Sequence, residues 1–159
     1  MTKSAGAGEV LIRRLRPSDI LQFGGMLSMF GEAFGDVATY SGARPSVRYV
    51  ERLLGSDTFI AIAALENDRV VGGLAAYELR KFERERSEIY IYDLAVAAAH
   101  RRRGIATALI RELQGIAAER GAYVIYVQAD VSDPPAIALY SKLGIREDVL
   151  HFDIPPRRS

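Results

Sequence analysis

The stretch "HRRRGIA" (residues 100–106) sets three consecutive arginines before a glycine and what reads as the first turn of an apolar helix. A helix N-terminus carries partial positive charge and unpaired N–H groups, so Asp, Asn, Ser or Thr normally stands there. Here Arg101, Arg102 and Arg103 concentrate positive charge where it is disfavoured, with no standard capping residue before Gly104. A phosphate or pyrophosphate would satisfy the N–H groups and the charge together. Gly104 would let the backbone approach such an anion, and Ala106 would keep the first turn open. A solvated basic helix start, with water on the N–H groups, is the other reading. The glycine spacing fits neither the P-loop nor the dinucleotide fingerprint.

Several chemistries are excluded by residue type. The chain has no cysteine, which removes disulfides, thiolate metal sites and a cysteine nucleophile. His100 and His151 are the two histidines, far apart and without further ligands at metal-binding spacing, so no metal is expected. There is no G-x-S-x-G turn for a serine hydrolase. With 21 basic and 20 acidic residues the net charge is +1, too balanced for a nucleic-acid-coating protein. No apolar run approaches the roughly 20 residues of a membrane span. The start, "MTKSAGAGEV", lacks the apolar core of a signal peptide, so a cytoplasmic location and no membrane partner are expected.

Elements must position these residues. Hydrophobic content of 49% over 159 residues suits one globular domain, expected over 9–154 with 1–8 and 155–159 as flexible tails. A strand is predicted in 9–17, then a helix capped by Ser18 that buries Ile20, Phe23, Leu27, Phe30 and Phe34. Residues 34–45 read as a loop, followed by a short helix near 46–54. "TFIAIAALE" (58–66) and "RVVGGLAAYEL" (69–79) read as a hairpin turning at "END", and "SEIYIYDLAV" (87–96) as a buried central strand. A helix from Gly104 to Gly121, a buried strand at 122–129, a helix capped by Asp133 with Pro134 in its first turn, and a strand over "VLHFDI" (149–154) complete the chain. The order describes an α/β protein with a mixed central β-sheet flanked by helices. The tyrosines of "YIYD" and "YVIYVQ" read mainly as core strand residues, with Tyr90 or Tyr126 able to border a cleft.

The pattern Arg101-x-x-Gly104-x-Ala106 after a strand ending "DLAV" resembles the acyl-CoA signature of the GCN5-related N-acetyltransferase (GNAT) superfamily. "FGDVATYS", "SEIYIYDLAV", "GIATALI", "GAYVIYVQAD", "ALYSKLGIRE" and "HFDI" together resemble the aminoglycoside 3-N-acetyltransferases of type I, over about residues 30–154. The resemblance implies the three-layer GNAT fold and acetyl-CoA as cosubstrate. It implies a CoA pyrophosphate held by Arg101, Arg102, Arg103, Gly104, Ile105 and Ala106, and a pantetheine arm on the backbone of Leu94, Ala95 and Val96. The sheet is expected to splay between "DLAV" and "YVIYVQA" to admit that arm.

The same resemblance makes Tyr140, in "ALYSKLG", the proton donor to departing CoA; a core aromatic is its plainer role. The acceptor amine must lose a proton before attack, and a carboxylate is the expected base. Asp130, Asp153, Glu88 and Asp36 are the candidates in that order, and all four could also hold a polycationic acceptor. Asp93 is expected to stabilise the strand bulge, and Asp133 to cap its helix. The implied acceptor is the 3-amino group of a deoxystreptamine ring in a gentamicin-type drug. A homodimer is implied as well. An acetyltransferase for another amine (a polyamine or a protein N-terminus) and a non-catalytic acyl-CoA-binding module are the alternatives.

Overall fold

The computed structural model describes residues 8–159; the expected N-terminal tail, 1–8, lies outside them apart from Gly8. The elements are β1 (Val10–Arg14), α1 (Ile20–Phe34), α2 (Val37–Ser41), α3 (Val47–Leu54), β2 (Phe59–Glu66), β3 (Arg69–Arg80) and β4 (Ser87–Val96). A 3₁₀ turn at Ala98–His100 leads to α4 (Ile105–Arg120), β5 (Ala122–Val127) and α5 (Pro134–Leu143). They fall in two compact units, one ending at Gln128 and one comprising Ala129–Ser159.

In the first unit β2 and β3 turn back at Asn67 and Asp68, whose φ values of 50° and 62° are those of a type I′ turn. That turn follows the twist of the strands it joins. β1 adds antiparallel to β2, β4 antiparallel to β3, and β5 parallel to β4. The sheet is mixed, with strand order β1-β2-β3-β4-β5.

Alternation along the strands sorts the core into two layers. Phe59, Ala61, Ala63 and Leu65 of β2 pack with Phe23, Met26, Met29 and Phe30 of α1 and with Val50 and Leu54 of α3. Gly73 makes room for Met26, whose Cγ would lie 2.6 Å from an added Cβ. The next residue back, Gly72, does the same on the opposite face for Ile105 of α4, at 3.0 Å. α4 seals that face with Leu109 and Leu113, both fully buried, and ends on Gly121 in the left-handed conformation. The expected helices-sheet-helix layering is therefore present.

Three local expectations change. Asp19, not Ser18, precedes α1, and its carboxylate is drawn to Arg13 Nη1 (2.9 Å) and Arg16 N–H (2.7 Å) rather than capping the helix. The loop 34–45 contains α2, because Asp36 accepts from Thr39 N–H at 3.2 Å and caps a helical turn.

The strand over 149–154 does not form. In the second unit α5 is capped as expected, Asp133 accepting from Ala136 N–H at 3.2 Å. Residues 144–159 then carry no regular structure. Val149, Leu150, Phe152 and Ile154 are 68–88% exposed, and no described strand pairs with them. An apolar alternating sequence becomes a strand only where a neighbour satisfies its backbone.

Candidate active site

The basic turn is shaped by two left-handed residues, Arg102 (φ 62°) and Gly104 (φ 74°). Successive reversals of this kind turn N–H groups toward one concavity, which suits an anion. Gly104 is the N-cap of α4, no side chain caps the helix, and the first turn contains no acidic residue. Open space lies where a Cβ on Gly104 would stand, so glycine serves the conformation here rather than a crowded contact. Ile105 is buried and anchors the turn to the sheet, and Ala106 follows it half-buried.

The three arginines are not equivalent. Arg103 is committed to the protein: it donates to Glu66 Oε1 at 3.1 Å from both terminal nitrogens and to the Gly8 carbonyl at 3.1 Å. Glu66 also meets His100 Nε2 at 2.7 Å. These contacts, that with His100 foremost, hold the Glu66 carboxyl below its usual range. Arg101 rests its Nε on the Val96 carbonyl at 3.4 Å, and Arg102 is exposed.

Before this turn the sheet opens. β5 pairs with β4 only from Ser87↔Ala122 to Ile91↔Val127, while β4 runs on to Val96. Leu94, Ala95 and Val96 thus pair with Leu74, Gly73 and Gly72 on one side and have no β5 partner on the other. The expected splay is present, with β4 backbone along its rim. Just before the opening the β3–β4 register slips, Ala76 facing Ile91 and Ala75 facing Asp93, so Tyr92 is the extra residue of a bulge. The bulge keeps Tyr90 and Asp93 on one face, although they stand an odd number of positions apart.

That face carries a tyrosine-lined cleft of about 640 Å³, bordered by Thr58, Tyr77, Glu78, Arg80, Tyr90 and Tyr92. The rings support one another: Tyr77 and Tyr90 each meet Tyr92 edge-on at 5.8 Å, and Tyr90 stacks on Tyr126 at 4.7 Å. Tyr90 is fixed further by donating to Gln128 Oε1 at 2.9 Å.

The candidate carboxylates are dispersed. Glu88 lies two residues before Tyr90 on β4, accepts from Tyr123 Oη at 2.8 Å and has Lys81 Nζ at 3.8 Å. Asp36 caps α2, and its hydrogen bonds with Thr39 lower its pKa. In the second unit Asp130 is held low by hydrogen bonds from Ser132, and both carboxyls are weakened as bases by those bonds. Asp153 pairs with His151 at 3.0 Å on unstructured chain, its side chain 96% exposed, where an internal strand position was expected. Tyr140 sits on α5, its phenol pushed up to about 12 by burial and then by Asp133, and so remains protonated at neutral pH.

Sequence reasoning passed over Tyr77 and Tyr92 as cleft residues and the contact of Tyr40 with Asp93, where Tyr40 Oη donates to Asp93 Oδ2 at 2.8 Å. Period-two spacing of Tyr90 and Tyr92 was a usable signal for the first. Nothing local signals the second.

Residues 27–145 match the Acetyltransferase (GNAT) family, and the chain belongs to that family. An aminoglycoside acetyltransferase structure from an uncultured soil metagenomic sample is 64% identical, with a TM-score of 0.91 over 94% of this chain and 99% of its own. A second from such a sample, in complex with sisomicin, is 29% identical with a TM-score of 0.85, covering 93% and 97%. Streptothricin acetyltransferase of Streptomyces lavendulae is 32% identical over 89 residues, 56% of this chain and 44% of that protein. N-acetyltransferase 8B of Rattus norvegicus is 27% identical over 56% of this chain and 40% of its own length. The matched stretch thus spans less than half the length of these curated relatives.

Proposed function

We propose that this protein transfers acetyl from acetyl-CoA to the 3-amino group of the deoxystreptamine ring of gentamicin-type aminoglycosides, with residues 9–154 acting as one acetyltransferase domain. Acetylation removes a positive charge that such a drug uses to bind ribosomal RNA, so the outcome is resistance. The observation that carries this reading is the meeting of two features on β4: a tyrosine-lined cleft ends at the bulge where the β5 side of the strand opens. A pseudo-sugar ring stacks on aromatic faces, its ammonium groups are attracted to their π-systems, and a thioester laid along the opening would lie next to it. The aminoglycoside acetyltransferases among the solved relatives, one of them bound to sisomicin, support the acceptor class.

In this reading Gly104, Ile105 and Ala106 offer N–H groups to the CoA pyrophosphate while Arg101 and Arg102 face its charge. Arg103 holds the turn in place through Glu66. Leu94, Ala95 and Val96 offer backbone to the pantetheine arm, and Tyr140 protonates the leaving thiolate. Glu88 and Asp36 draw the polycation toward the first unit's cleft, and Asp130 and Asp153 add charge from the second. No cysteine is available for an acyl-enzyme, so the amine attacks the thioester directly.

The test is thiol release from acetyl-CoA with gentamicin, spermidine or a peptide as acceptor, with the acetylated nitrogen located by NMR. Turnover with gentamicin and acetylation at the 3-amino group is expected. Turnover confined to spermidine or peptide, or acetylation at another nitrogen, overturns the assignment.

A further inference from the structure

Three glutamates on the sheet of the first unit pair with a cation, and one of the pairs is loose. Glu66 has Arg103 at 3.1 Å and also meets His100, and Glu78 has Arg120 at 2.5 Å. Glu88 has Lys81 at 3.8 Å, beyond hydrogen-bond length, although its side chain is only 19% exposed. Lys81 Nζ stands equally near a second carboxylate, Glu83 Oε1 at 3.7 Å, and is bound tightly by neither. The neighbouring Arg86 is engaged elsewhere, its guanidinium 3.9 Å over the Tyr123 ring and 3.5 Å from Glu83. What fixes Glu88 is a neutral donor. The β4–β5 register slips between Ser87 and Glu88, which leaves Tyr123 as an extra residue, and its hydroxyl donates to Glu88 Oε2 at 2.8 Å. The carboxylate is thus aimed, while its countercharge is exchangeable.

Its place says what would exchange there. Glu88 faces Leu79 across the β3–β4 ladder and stands two residues from Tyr90, so it shares their face, at the end of the tyrosine-lined cleft remote from the bulge. Tyr126, stacked on Tyr90, walls that end, and its phenol is pushed up by burial and then by Glu88. From the Leu79↔Glu88 pair to the Leu74↔Leu94 pair the ladder runs five residues of β3, about 17 Å of strand. A carboxylate that far from the opened edge does not reach a nitrogen reacting there. It can hold a different ammonium of the same acceptor.

Resting on the acetyl-transfer reading above, we propose that Glu88 is a specificity-determining residue for a second ammonium of a polycationic acceptor, and that Lys81 occupies this place until the acceptor displaces it onto Glu83. Lys81 is then the chain's own stand-in for the substrate. The exchange keeps the local charge balanced, since one ammonium leaves Glu88 as another arrives and Lys81 keeps its second carboxylate. A monoamine has nothing left for Glu88 once its single nitrogen lies at the opening, so Lys81 stays and this end of the cleft adds nothing to its binding. In this role Glu88 holds charge and takes no proton from the reacting nitrogen.

The experiment measures kcat and KM for gentamicin by thiol release, and gentamicin Kd by calorimetry, in wild type, Glu88→Gln, Lys81→Met, the double variant and Arg84→Gln. Glu88→Gln is expected to raise KM and Kd about fivefold with kcat nearly unchanged, and Lys81→Met to lower both about two- to fivefold, the range of a part-exposed ion pair. Because Lys81→Met is expected to improve binding, loss of folding cannot imitate it. In the Glu88→Gln background Lys81→Met should no longer tighten binding, since the carboxylate it frees is gone. Arg84→Gln removes an equal charge from the same connector and should leave Kd nearly unchanged. A fall in kcat at constant KM in Glu88→Gln overturns the proposal, because it would put Glu88 at the reacting atoms. Unchanged or weaker binding in Lys81→Met overturns it too, and so does equal tightening in Arg84→Gln, the mark of net charge alone. If gentamicin is neither bound nor acetylated while spermidine is, the drug assignment fails, and Glu88 and Lys81 are judged by the same constants with spermidine.

Discussion

Gly104 holds φ 74° at the start of α4, a backbone state that costs a side-chain-bearing residue about 1–2 kcal/mol. A glutamate there adds strain and an anion where a pyrophosphate is proposed to sit. Gly104→Glu is therefore expected to abolish acetyl-CoA binding by calorimetry while circular dichroism stays native. Tyr140, raised to about 12, keeps its proton at neutral pH, as the proposed role of acid requires. Removing its hydroxyl in Tyr140→Phe should cut kcat about 100-fold or more, as loss of a general acid does, with acetyl-CoA affinity nearly unchanged. A parallel rise in KM for acetyl-CoA would instead mark Tyr140 as a packing residue. The uncapped basic turn at Gly104 and the Asp133 cap were legible in the sequence because each rests on chemistry within a few residues. Tyr40 and Asp93 were not, because the contact joins positions 53 apart.

At the scale of elements, alternation explains both what the sequence revealed and what it hid. β2 through β5 were readable because apolar runs and turn residues bound them, and the I′ turn at Asn67–Asp68 is written in two residues. The bulge at Tyr92 is not written anywhere: strict alternation places Tyr90 and Asp93 on opposite faces, and only the slipped register puts them together. The last strand failed for the converse reason, since a suitable pattern at 149–154 meets no partner in the described chain. Helix contacts carry their own prediction. Gly31→Ala pushes α2 from α1 by the few tenths of an ångström its Cβ needs, which displaces Tyr40. The expected result is a several-fold loss of kcat/KM for gentamicin with unaltered CoA affinity; an unaltered kcat/KM would show that α2 placement is not limiting.

For the whole molecule, five strands in one sheet fix the order of events along the chain, and α4 carries the polypeptide from the rim of β4 back to β5. No described helix is long and apolar enough to cross a membrane. The parting of β4 from β5 beyond Ile91 leaves Leu94–Val96 laddered on one side only. In the proposed complex the pantetheine amides fill the role of a neighbouring strand there. Melting temperature should then climb with CoA concentration, by the equivalent of about 2.7 kcal/mol at a hundredfold excess over Kd. Amide exchange at Leu94–Val96 should slow in step, whereas uniform slowing across the sheet would show that these residues bear no special part. The consequence reaches the chain's resistance to cleavage. If acetyl-CoA finishes the sheet in this way, protease nicking of the purified chain near Leu94–Val96 should slow as CoA is added.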